Sequence, residues 1–309
     1  MQPVDSTSAP GTASGNLPDI NWQTTTTGLL RAALFDWAVI ITAWMVMTAT
    51  ESVVVTVFAM LVIAGRIHAL GAILHDACHA KIQRKSPQWY LVEALAGWPV
   101  SSTIEAMRYH HLRHHRYVGT VKDPYRPAPL PLFKGGLQPM PLLYARGLLL
   151  PGWWTLRPLA GMLALVLPQV QTAYARLFLQ DRSQQDLTHS TEIIRCAKAD
   201  RVQLAAHLIL LAAILTWQIP FLYTWLIPLH IAGVLNARRV ALEHPPVTQG
   251  TLYEQPVPAT EQANITASNS NGWLQKWLLS PHNMGLHSEH HRYPRVAYRY
   301  LPKLKSLTS

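Results

Sequence analysis

A chain of 309 residues, 49% hydrophobic and only 14% charged, is long enough for a full catalytic domain but carries too little charge for an ordinary soluble one, so composition points to a membrane. Two cysteines, Cys78 and Cys196, exclude a disulfide framework and a thiolate zinc site. The net charge of +10 does not imply nucleic acid, and no nucleic-acid partner is expected: only Arg31 and Arg66 precede Lys81, sixteen Lys or Arg run from Lys81 to Arg201, and eight follow from Arg238. Such a distribution marks two connecting regions rather than a basic face.

Residues 1–28 are rich in Ser, Thr, Gly and Pro and lack the basic start and short apolar core of a secretory signal. They read as a disordered tail, with one membrane catalytic domain over 29–309. Trp37 to Thr50 and Val53 to Gly65 are apolar runs interrupted at Glu51 and Ser52. Extended back through Leu29 and forward past Arg66, they predict a helical hairpin whose second helix projects beyond the bilayer towards His75 and His79. Trp89 to Val100 and Gly147 to Tyr174 are semi-apolar and proline-broken, which predicts interfacial or re-entrant helices. Val202 to Ala237 holds no Asp, Glu, Lys or Arg, and one helix of that length would far exceed a hydrocarbon core of about 30 Å. The break falls at Gln218-Ile219-Pro220, giving four spans in two hairpins. Each hairpin then starts and ends on one side, and the basic excess marks that side as cytoplasmic. Trp37, Trp44, Trp217 and Trp225 suit an aromatic belt, and His207 and His230, inside spans, suit packing or hydrogen bonding.

Nine of the 15 histidines fall in three short clusters. His75 and His79 are four apart; His111, His114 and His115 follow i, i+3, i+4; so do His287, His290 and His291. On a helix each set shares a face. Imidazoles without thiolate suit iron, zinc, copper or nickel, and these eight exceed what one tetrahedral zinc can use, so two metal ions are the simplest reading. His110 points about 100° away from His111 and is expected behind the ligands.

With these motifs the sequence resembles the membrane fatty-acid desaturases and related hydroxylases, which carry HxxxH, HxxHH and HxxHH boxes in this order. The second box stands here as RYHHLRHHRYVGTVKDPY and the third as SPHNMGLHSEHHRYPRVAYRYLPKL, and the similarity runs from Leu29 to Leu304. The resemblance implies an all-α membrane protein whose cytoplasmic helical cap carries two non-haem irons, with O2 as co-substrate. It also implies a further ligand after the fourth span. His244 fits that place, with His282 as its rival. Asp76, Asp123, Glu243, Asn283 and Glu289 are candidates to orient imidazole N–H groups. The activity implied is desaturation of the acyl chain of a lipid or acyl thioester. The alternative is a hydroxylase or ketolase of a carotenoid, sphingolipid or specialised acyl chain. The chain shows no haem module, so an external donor, a ferredoxin or b-type cytochrome with its reductase, is expected. The long apolar substrate would bring a polar head near Arg108, Arg113, Arg116, Lys122 or Arg126. Two departures from the family pattern, Ala297 in the tail motif and Lys305 after LPxL, touch no candidate ligand.

Overall fold

The computed structural model describes residues 22–125, 140–245, 253–269 and 272–308, and every regular element among them is helical. α1 (Thr26–Thr48) begins where the Thr25 side chain accepts a hydrogen bond from Gly28 N–H, satisfying one of the free donors of the first turn. After Ala49–Ser52 the chain returns as α2 (Val53–Cys78). The two helices pack side by side and antiparallel, with Thr24 bonded to Asp76 and Asp36 paired with Arg66. From Ala64 to Leu70 and again from Ala72 to Cys78, α2 is buried all round, because other elements wrap the part of it that carries His75.

The described residues begin at Trp22, before the boundary expected at 29. Trp22 accepts a backbone hydrogen bond from Ala297, and α1 opens at Thr26. Residues 1–21 of the expected tail lie outside the described residues.

The semi-apolar stretches are broken helices. Pro87–Val92 (α3) runs into a π turn over Glu93–Gly97 and a 3-10 turn over Trp98–Val100, ending at Ser101 in the left-handed region. α4 (Ile104–Tyr117) follows. The second stretch forms α5 (Met140–Thr155), α6 (Arg157–Val166) and α7 (Gln171–Phe178). Pro158 and Pro168 sit in the first turn of the piece each one opens, where a missing N–H costs nothing.

α8 (Thr191–Trp217) starts eleven residues before the uncharged stretch, capped by Ser190. Its charged first turns pack against α6 and α4, and only its later part is apolar and exposed, as at Ile209 and Leu215. It ends at Gln218 with φ +50, the expected break. A π turn over Leu222–Leu226 leads into α9 (Ile227–Glu243). Among the described residues, α1, α2 and α8 are the three helices long and apolar enough to cross a membrane. The second pair differs from a simple hairpin: α8 packs on α6 and α4, whereas α9 packs on α5 and α2. The reason is a close crossing of small residues. A Cβ on Gly147 would come within 2.7 Å of Gly233 O and one on Gly233 within 2.2 Å of Gly147 O, so α5 and α9 meet backbone to backbone.

Trp37, Trp44 and Trp225, expected in an aromatic belt, form a half-buried cluster packed against the core. Trp37 stacks on Trp225 at 5.6 Å and its indole N–H donates to Leu95 O. Trp217 alone of the four is largely exposed. The chain closes with α10 (Ala259–Gln262), α11 (Trp273–Leu278), α12 (His287–Arg292) and α13 (Leu301–Thr308).

Candidate metal centre

Three long helices deliver histidines from their C-terminal ends. His75 lies in the last turn of α2 with His79 as its C-cap, His111, His114 and His115 occupy the second half of α4, and His244 is the C-cap of α9. Helix C-termini carry partial negative charge, which favours a cation at the point where they meet. α12 adds His287, His290 and His291, all buried.

The imidazoles meet through their Nε2 atoms. His111 Nε2 lies 2.9 Å from His79 Nε2 and 2.9 Å from His115 Nε2, and His115 Nε2 lies 3.1 Å from His290 Nε2. His75 joins this set, its ring centroid 3.7 Å from that of His111. On the other side His114 Nε2 is 3.4 Å from His291 Nε2, and His287 Nε2 is 2.9 Å from His244 Nε2. Metal–nitrogen bonds of about 2.1 Å hold neighbouring ligand nitrogens about 3.0 Å apart at right angles and about 3.4 Å apart at tetrahedral angles. The observed spacings match.

The outward ring atoms decide whether these contacts are hydrogen bonds. His114 Nδ1 lies 2.8 Å from Asp123 Oδ1, and His291 Nδ1 lies 2.9 Å from Gln262 Oε1. Gln262 cannot be reversed, because its Nε2 donates to His115 O and Val257 O. Both Nδ1 atoms therefore donate, and a neutral imidazole then has only a lone pair at Nε2. When both rings are neutral, two lone pairs face each other at 3.4 Å. That arrangement repels unless a cation lies between.

Burial pushes His111, His115, His244, His287, His290 and His291 well below the ordinary imidazole pKa, with neighbouring histidines and, at His244 and His287, Arg239 adding to the effect. Burial likewise lowers His79 to about 3. The neutral form that these shifts favour is the one that binds metal.

The remaining candidates divide by what they touch. Asp123 holds His114, and Glu243 Oε2 lies 3.4 Å from His287 Nδ1 while paired with Arg239. Asp76 and Asn283 hold the backbone of Tyr298, not an imidazole. Glu289 accepts from Ser268 and pairs with Lys305. His110 turns its Nδ1 to Ala106 O, 3.0 Å away. His282 bonds to Asp36 at 2.8 Å, away from the cluster that His244 enters. His207 and His230 bond to the backbone carbonyls of Trp98 and Leu148.

The proposed head-group cations are mostly committed elsewhere. Arg108 donates to Cys78 O and Ala80 O, fixing the chain after His79, and Arg113 pairs with Glu192. Lys122 lies over the Tyr117 ring, Arg116 is exposed, and Arg126 lies outside the described residues.

Three residues were missed in the sequence. Tyr298 bonds through its hydroxyl to His75 Nδ1 and stacks on that ring at 5.4 Å. Tyr125 lies 2.9 Å from His111 Nδ1 and stacks on His114 at 4.0 Å. Gln262 is the third. Tyr125 had a signal, since it follows Asp123-Pro124 directly after the second box. Gln262 had none, standing in a segment without pattern.

The fatty acid desaturase family pattern matches residues 50–308, most of the chain and all three histidine clusters. The chain belongs to the fatty acid desaturase family, whose members are oxidoreductases. No curated protein matches it.

Proposed function

We propose that the chain is an O2-dependent di-iron membrane enzyme that introduces a double bond into the acyl chain of a lipid or acyl thioester. The observation that carries the metal assignment is the convergence of imidazole Nε2 atoms at 2.9 to 3.4 Å, with the outward Nδ1 atoms of His114 and His291 already bonded to Asp123 and Gln262. Iron is favoured over the other imidazole metals by the family, which is known for di-iron histidine sites. One iron would be held by His75, His79, His111, His115 and His290, and the other by His114, His244, His287 and His291.

Bound iron would supply, with O2, the oxidising power that side chains lack for an unactivated C–H bond. The chain's own part is positional. Asp123, Gln262 and the Tyr125 and Tyr298 hydroxyls fix ring orientation, and Arg239 holds Glu243 beside His287. Complete burial of His111, His114, His244, His287 and His291 keeps bulk water from the donor atoms.

For topology, α1, α2 and α8 are three crossings. The 5-residue π turn and 17-residue α9 make a fourth, about 33 Å at about 1.5 Å per residue. The clusters then lie on one side, which the basic connecting regions mark as cytoplasmic. Electrons would come from a separate ferredoxin or b-type cytochrome with its reductase.

The test is expression in a host with compatible electron donors, followed by mass spectrometry of total lipids and carotenoids. The reading predicts a product lighter by two hydrogens, absent from cells expressing His111→Ala. A product heavier by one oxygen would move the chain to the hydroxylases, and an unchanged lipid profile with intact donors would contradict the acyl-chain assignment.

A further inference from the structure

Outside the metal centre, a groove of about 560 Å³ runs between the first half of α1 and α11, lined by Arg31, Phe35, Arg66, Trp273, Lys276 and Trp277 among others. Its lining holds three permanent cations and no acid. The nearest acid, Asp36, is fully buried and already shared between Arg66 at 3.1 Å and His282 at 2.8 Å. Arg31 and Lys276 are exposed and have no ion-pair partner among the described residues. Arg66, only 3% exposed, donates to Asp36 and to Trp277 O, yet its buried Nε has no partner.

The flanks are apolar and face outwards. Phe35 is 51% exposed on α1, and Trp273 and Leu274 are 78% and 53% exposed on α11. Phe35 meets Trp277 edge to face at 6.3 Å, so the helix surface and α11 form one continuous apolar wall. Arg31 lies seventeen residues before Thr48 in α1, about 26 Å along the helix at about 1.5 Å per residue. In a bilayer with a core of about 30 Å, that places Arg31 at the head-group boundary, where exposed Trp is also at home. A soluble anion would use the cations and leave the apolar wall in water. An anionic amphiphile uses both.

From this groove we infer a binding site for one anionic phospholipid of the surrounding bilayer. Its phosphate lies between Arg31 and Lys276 with Arg66 behind, and one acyl chain lies along Phe35. The site is independent of the chemistry at the metal centre and none of its cations touches a ligand histidine. It would anchor α11, whose Leu278 packs against Gly65 of α2, at the membrane surface.

The full chain, delipidated in detergent and offered equal phosphatidylglycerol and phosphatidylcholine, is examined by native mass spectrometry. The expected result is one retained phosphatidylglycerol in preference to phosphatidylcholine. The preference should fall about five-fold for each cation removed in Arg31→Gln and Lys276→Gln and persist in Arg31→Lys/Lys276→Arg. Arg176→Gln, a remote exposed cation, should leave it unchanged. Size-exclusion profile and iron content report the folding of each single variant. No preference in the unaltered chain, or the same preference in both Gln variants, would overturn the site.

Discussion

Of the buried polar clusters among the described residues, one closes on itself and another has the form of a metal site. Between α6 and α8, Arg157 places its Nε 3.0 Å from Asp200 Oδ2, its Nη2 donates to Gln203, and Tyr174 donates to Asp200 at 2.7 Å. Each charge there has its counter-charge, and each acceptor a donor. In the histidine centre the outward Nδ1 atoms of His114 and His291 are satisfied in the same way, but with neutral rings the inward Nε2 atoms meet lone pair to lone pair. Burial and polar density are common to both clusters. What separates them is whether the protons suffice for the contacts made.

That contrast can be broken by substitution. The largest effects belong to the ligands: His111→Ala and His290→Ala should each abolish iron retention and lipid oxidation, measured by elemental analysis and product profile. Next comes Arg157→Met, which leaves Asp200 as an uncompensated buried charge and should cost about 3–5 kcal/mol of stability. A thermal melt would register the loss, while iron per folded chain stays unchanged; a parallel loss of iron from folded protein would join the two clusters after all. Asp123→Asn should weaken metal binding about 10–100-fold, read by competition with a chelator, because an amide can present its N–H to His114 and favour the wrong tautomer. Tyr298→Phe keeps the stacked ring and removes one hydrogen bond to His75, worth about 0.5–1.5 kcal/mol, so its metal affinity should drop by about ten-fold at most.

Acid gives a further contrast. His79 is lowered to about 3 and its neighbours are lowered well below the ordinary value. Above the ordinary pKa of about 6.5 folded and unfolded states are both neutral at these groups. Below it the unfolded chain takes up protons that the native site refuses, so stability and metal retention fall as pH falls from about 6.5 towards 3. Titration of the metal-free protein, followed by its melting temperature, should show this decline; a melting temperature flat from pH 7 to pH 4 would contradict the neutral assignment.

Much of this arrangement was legible in the sequence because its signals are local. Helical spacing within HDACH, HHLRHH and HSEHH predicts shared faces, and the chain break at Gln218 follows from Pro220. His244 was legible through the resemblance, by its place after the uncharged stretch. The rest depends on contacts between distant segments. Nothing near Gln262 announces that it fixes His291, and the choice of α9 to pack on α5 and not on α8 rests on Gly147 meeting Gly233. Asp76 and Asn283 read as imidazole partners because they adjoin the boxes, yet their side chains turn to the backbone of Tyr298, which in turn holds His75.

The most direct test counts metal and identifies its donors. Elemental analysis with X-ray absorption on the chain purified from iron-replete membranes should find two irons per chain in a nitrogen-rich shell, with His114→Ala/His291→Ala losing the metal between those rings. Folded chain purified from iron-replete membranes with no bound metal, or a double variant that keeps both irons, would contradict the account.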